Sequence, residues 1–96
     1  MQTGYLIAID EFCVKHEIEH SFISSLQETG LIEITMIEET GFIQVDQIQQ
    51  LEKFIRFYYD LDINLEGIET ISHLLQRVND LQEEIIQLRN KLGLYE

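Results

Sequence analysis

The stretch EFCVKHEIEHSFISSLQETGLIEI, Glu11 to Ile34, reads as two short helices joined by a tight turn. Asp10, immediately before it, can accept from the first backbone N–H groups of a helix running to about Lys15, and is assigned as its N-cap. Glu17 to Glu19 form the turn. Ile18, Phe22, Ile23 and Leu26 recur at helical spacing, and Gly30 stands where a left-handed residue ends a helix. In such a pair the second helix occupies the position of a DNA-reading helix. Here it contains no lysine or arginine, and through Glu19 and Glu28 it carries the charge sign of DNA itself.

The flanking segments supply the remaining elements. Tyr5 to Ile9 is a short apolar run suited to a strand. Leu31 to Ile37 and Phe42 to Val45 are rich in β-branched and aromatic residues, with Glu38, Glu39, Thr40 and Gly41 between them as turn material, so a hairpin, a wing, is expected. Asp46 is assigned as the cap of a central core helix, on which Ile48, Leu51, Phe54, Ile55, Phe57, Tyr58 and Leu61 cover a wide arc. The aromatic cluster from Phe54 to Tyr59 is read as core packing rather than a base-stacking platform. Glu52 and Asp60, four residues either side of Arg56, are placed to pair with it. Asp60, Asp62 and Asn64 alternate oxygen donors, but no glycine or distal glutamate completes a calcium loop.

From Leu65 to Leu92 no proline interrupts the chain, so one helix of about 28 residues, roughly 42 Å, is expected. Along it Ile71, Leu74, Val78, Leu81, Ile85, Leu88 and Leu92 recur at spacings of 3, 4, 3, 4, 3 and 4. That is a heptad seam, and it predicts a homodimer through this helix, with Ile68 and Leu75 widening the first half where it packs on the protein's own core. Glu84 could meet Arg89 of a parallel partner, and strand direction stays open. The fold class is mainly α with a small β-hairpin wing, in one domain over 1–96: a winged core at about 4–62 and a long C-terminal helix at about 65–93.

Charge bounds the function. The chain of 96 residues is 45% hydrophobic, enough for one modest core, with a formal charge of -12. Up to Glu52 there is one base, Lys15, against ten acids, a net of -9, while from Lys53 onward five bases face eight acids, a net of -3. The half containing the two-helix motif is the acidic one, which disfavours nucleic acid and other anionic partners. No segment approaches the roughly 18 to 20 apolar residues of a membrane span and no export signal is evident, so a cytoplasmic protein is expected. Cys13, the lone cysteine, reads as a small buried hydrophobe. His16 and His20 are four apart, but the turn falls between them and no third ligand is obvious, so no metal is assigned. Neither a phosphate loop nor a nucleophile with its base is recognisable. No enzyme and no cofactor is expected.

The order strand, helix, turn, helix, wing, helix, long helix resembles the winged helix-turn-helix of the MerR-like group. More closely, it resembles the chaperone modulator CbpM family. The resemblance rests on Asp10-Glu11-Phe12-Cys13, the Ile18 to Leu26 helix ending in Thr29-Gly30-Leu31-Ile32-Glu33, Phe42 to Asp46, Arg56, Asp60-Leu61, and Leu65-Glu66-Gly67-Ile68. It covers nearly the whole chain through short motifs. Two positions depart from the family pattern: Glu17 stands where a turn glycine is usual, and Glu19 where a serine-type cap is usual. The resemblance implies a protein that binds the J-domain of a DnaJ/CbpA-like co-chaperone and blocks its work with Hsp70. J-domains present a basic helix to Hsp70, and the acidic face formed by Asp10, Glu11, Glu17, Glu19 and Glu28 is the expected contact. The competing reading is a MerR-like DNA-binding transcriptional regulator; a purely structural dimer or another protein-interaction module is a third.

Overall fold

A computed structural model describes residues 5–93; Gly4, the expected start of the core, lies outside the described residues. In chain order come β1 (Leu6–Ala8), α1 (Ile9–His16), α2 (His20–Glu28), β2 (Thr35–Ile37), β3 (Thr40–Gln44), a 3-10 turn (Val45–Gln47), α3 (Ile48–Ile55), a π-turn (Arg56–Asp60) and α4 (Leu65–Leu92). The architecture is mainly helical, with one small antiparallel sheet and a long C-terminal helix, as the hydrophobic periodicity requires.

Helices α1 and α2 end in the same way. Beyond α1, the Glu17 N–H donates to the Val14 carbonyl (3.3 Å) and the Ile18 N–H to the Cys13 carbonyl (3.0 Å). Beyond α2, the Gly30 N–H donates to Gln27 (3.0 Å) and the Leu31 N–H to Leu26 (2.9 Å). Both patterns satisfy orphan carbonyls by a reversal through a left-handed residue, the Schellman motif. Gly30 adopts φ +82°, as its place in the sequence foretold, and Glu17 adopts φ +56° where a glycine would cost less. The turn expected at Glu17 to Glu19 therefore forms with a glutamate at its left-handed position.

Neither expected aspartate cap forms. α1 begins at Ile9, with Ala8 at the cap position, because β1 runs directly into the helix and Ile9 must reach the core. Asp10 falls in the first turn instead, where the helix dipole still favours its charge. Asp46 lies in the 3-10 turn that precedes α3, whose cap position is held by Gln47 without a side-chain bond. The Gln47 amide is occupied elsewhere: its Oε1 accepts from the Glu33 N–H (2.8 Å) and its Nε2 donates to the Glu33 carbonyl (2.9 Å).

The hairpin is tighter than expected. Glu38 and Glu39 alone form its turn, both at positive φ (+49° and +69°), the two-residue geometry that matches strand twist. Thr40 and Gly41 consequently belong to β3, while Leu31 to Ile34 precede β2 outside the ladder. β1 also joins the sheet, pairing antiparallel with β3 (Ile7 opposite Ile43), so the order is β1-β3-β2. Gly41 is placed where a side chain would meet Ile9 Cδ1 at 2.9 Å, which lets the sheet close on α1.

Phe12, Cys13, Phe22, Ile23, Leu26, Ile43, Leu51, Phe54 and Ile68 form the heart of one core that joins α1, α2, α3, the sheet and the start of α4. The core reading of the aromatic cluster holds for Phe54 and for half-buried Phe57. It fails for Tyr58 and Tyr59, which are 36% and 40% exposed, and Leu61, expected on the core helix's apolar arc, is exposed as well. The cause is the π-turn: its wider loop, closed by the Leu61 N–H on the Arg56 carbonyl (3.1 Å), turns these side chains off the core-facing stripe. It also takes Asp60 out of the i, i+4 position. Arg56 pairs with neither Glu52 nor Asp60, although all three border one surface groove, and the one ion pair among the described residues lies elsewhere.

α4 spans the expected residues. Asn64 caps it, its Oδ1 accepting from the Gly67 N–H at 2.7 Å. Ile68 is fully buried and Ile71 half-buried, whereas every described residue from His73 onward is exposed. Leu75, expected to pack on the core, is 40% exposed, because the helix has already left the core one turn earlier.

Candidate protein-binding face

The two-helix motif carries acidic side chains along both helices and the turn between them. Asp10 and Glu11 occupy the first turn of α1, Glu17 the left-handed turn position and Glu19 the cap position of α2; Glu28 closes α2. All five are exposed. Glu28 is the last of the nine residues of α2, about 12 Å along the helix from its start, so it stands apart from the other four.

The junction is held by contacts between residues far apart in sequence. His20 Nε2 lies 2.6 Å from Asp10 Oδ1, tying the first turn of α1 to the first turn of α2. Both side chains are well exposed, so the contact orients the helices and adds little stability. Glu19 stands at the cap position of α2 without a side-chain cap bond: its carboxylate accepts from Ser21 Oγ (3.3 Å), and its backbone N–H donates to Tyr59 Oη (3.3 Å). His16 is directed away, stacked on Phe12 with ring centroids 4.1 Å apart. Thus His16 and His20 serve different contacts. Among the described residues no group of three or more metal-ligating side chains converges.

The outer surface of α2 presents His20, Ser21, Ser24, Gln27 and Glu28, and the hairpin tip presents Glu38 and Glu39. On these two elements, the ones that would face a duplex, there is no lysine or arginine. Lys15, the one base before Lys53, is exposed on α1. Beneath the face, Cys13 is buried, and burial pushes its thiol pKa up, with the charge of Asp10 acting in the same direction.

A family model described as MerR HTH family regulatory protein matches residues 7–90. The chain belongs to this family. The match spans β1 through nearly all of α4, so the MerR assignment covers the helix pair, the wing and the long helix together. Comparison with curated proteins and comparison with solved structures each give no match. Among the described residues of this MerR-family chain, no helix is long and apolar enough to cross a membrane.

Sequence reasoning named the acidic residues of the face and missed what supports them. The Asp10–His20 contact spans ten residues and the Glu19–Tyr59 contact forty, and neither separation leaves a periodic trace. The one usable signal was the pair Tyr58-Tyr59, whose hydroxyls require polar partners wherever the rings are packed.

Proposed function

We propose that this chain is a non-enzymatic adaptor that binds the J-domain of a DnaJ/CbpA-like co-chaperone through its acidic helix-turn-helix face and so inhibits the co-chaperone's action with Hsp70. The observation that carries this reading is the absence of lysine and arginine from α2 and the wing. DNA affinity is dominated by neutralising phosphates, and Glu19, Glu28, Glu38 and Glu39 repel them. The same carboxylates attract a basic helix of the kind a J-domain presents, raising the rate of encounter. The cytoplasm, where such co-chaperones work, is the proposed compartment. Self-association through the exposed seam of α4, from Leu74 to Leu92, accompanies this function and places two acidic faces in one particle.

The second reading, a DNA-binding regulator, is favoured by the description of the family itself. Fold alone is weak evidence of function, and the charge of α2 and the wing supports the adaptor reading over this one.

Charge reversal tests the assignment. Glu19→Lys, Glu28→Lys and Glu11→Lys should each slow association with the J-domain several-fold and flatten its salt dependence, with Glu83→Lys on α4 as the control. Surface substitutions change stability by within about 0.5 kcal/mol, so an unchanged melting temperature isolates the binding effect. Front-face variants that bind like wild type would place the contact elsewhere; a wild type that binds no J-domain would sink the proposal.

A further inference from the structure

The π-turn Arg56–Asp60 creates a feature that the acidic face alone does not explain. It sets Tyr58 and Tyr59 edge to face, with ring centroids 5.0 Å apart, and packs both on Phe22 of α2 at 4.6 and 5.4 Å. The two rings keep more than a third of their surface in solvent. They form one wall of a surface cleft of about 350 Å³ whose other walls are Asp62, Ile63 and Asn64. Asp62, with a left-handed backbone (φ +57°), is the one carboxylate among the cleft's lining residues, and the Asn64 Oδ1 beside it is engaged by the Gly67 N–H. The hydrogen bond from the Glu19 N–H to Tyr59 Oη joins this wall to the start of α2, beside Glu19 of the acidic face.

Aromatic faces, an apolar side chain and a carboxylate in one cleft lined by no base match a single kind of guest. A lysine or arginine can lay its methylene stem along Ile63, place its cation over a tyrosine ring and meet Asp62 at the end. We infer that this cleft is the anchor site for one basic side chain projecting from a helix of the protein partner, with the acidic face steering the helix in and the tyrosine wall holding it. The inference rests on the proposed J-domain function for the partner's identity. The cation site itself rests on the cleft, its exposed ring pair and the Asp62 carboxylate, while the net charge of -9 before Lys53 belongs to the neighbouring helix pair that would steer the partner in.

The test uses the full chain and two probes, the J-domain of a DnaJ-like co-chaperone and a lysine- and arginine-rich amphipathic helical peptide. Kd values and the ring-proton resonances of Tyr58 and Tyr59 are followed for wild type, Asp62→Asn and Tyr58→Leu. Asparagine tolerates the left-handed backbone, so Asp62→Asn removes charge while keeping the fold. Ring resonances should shift on binding, and affinity should fall about fivefold for Asp62→Asn and about tenfold for Tyr58→Leu, with Glu83→Gln unchanged. If the J-domain binds wild type and both variants equally with the rings undisturbed, the anchor site is refuted and the J-domain function stands with its contact elsewhere. If the peptide alone binds, with the stated losses, the anchor site is upheld and the J-domain assignment fails. Ring resonances unmoved by either probe overturn the anchor site outright.

Discussion

Glu17 occupies a backbone conformation that costs an L-residue roughly 1–2 kcal/mol relative to the right-handed helical region, and that glycine enters freely. The same motif carries Gly30 at the end of α2, so the fold has no intrinsic need of a carboxylate there. Glu17→Gly should therefore raise stability by about 1 kcal/mol, a rise of about 4–8 °C in Tm, and at the same time weaken J-domain binding through the lost charge. A melt and a titration on one sample check both halves. Cys13 gives an independent check on the packing beneath: with its thiol pKa raised by burial, it should react slowly with a thiol reagent near neutral pH and at full speed in denaturant. These residues also mark how far local reading reaches. Gly30 was legible because few other residues end a helix so often, whereas Asp10 and Asp46 misled because a capping preference says nothing about where burial of Ile9 and Ile48 sets the helix start.

Among the elements, α4 was the most legible, since about six turns of heptad spacing have few alternative explanations. Its cap was not foreseen; Asn64→Ala should cost about 1 kcal/mol in chemical unfolding, as the Gly67 N–H loses its acceptor. The seam is tested separately. Leu74, Val78, Leu81, Ile85 and Leu88 are about half exposed and Leu92 more so, which leaves a row of leucine and β-branched side chains in water unless a second helix covers it. Leu81→Asp or Leu88→Asp should weaken a dimer by at least tenfold in sedimentation equilibrium, while Gln82→Asp, off the seam, should matter much less. A wild type that stays monomeric at high concentration would contradict the seam's proposed role. The sheet and the π-turn were beyond local reading for different reasons. A three-residue strand such as β1 announces no partner, and a single wide helical turn leaves the apolar spacing of Ile48, Leu51, Phe54 and Ile55 intact until after it has formed.

The whole molecule is elongated, with a radius of gyration of 17.0 Å and extents of 53 × 35 × 21 Å. A compact chain of this length would have a radius of about 12 Å, and the difference is the part of α4 that runs clear of the core. One end thus carries the acidic two-helix face and the tyrosine cleft, and the other an exposed apolar seam. The arrangement suits an adaptor that pairs through its stalk and meets a basic partner with its head. It suits a duplex poorly, because α2 and the wing carry no lysine or arginine and lie in the half of the chain with the net charge of -9. The most direct measurement sets the two ligands side by side: equilibrium binding of the wild-type protein, at about 50 mM salt, to random-sequence duplex DNA and to the J-domain of a DnaJ-like co-chaperone. The expected result is saturable J-domain binding that weakens as salt is raised and no retention of duplex up to about 100 μM protein. Salt-sensitive micromolar binding to the duplex with none to the J-domain would contradict it.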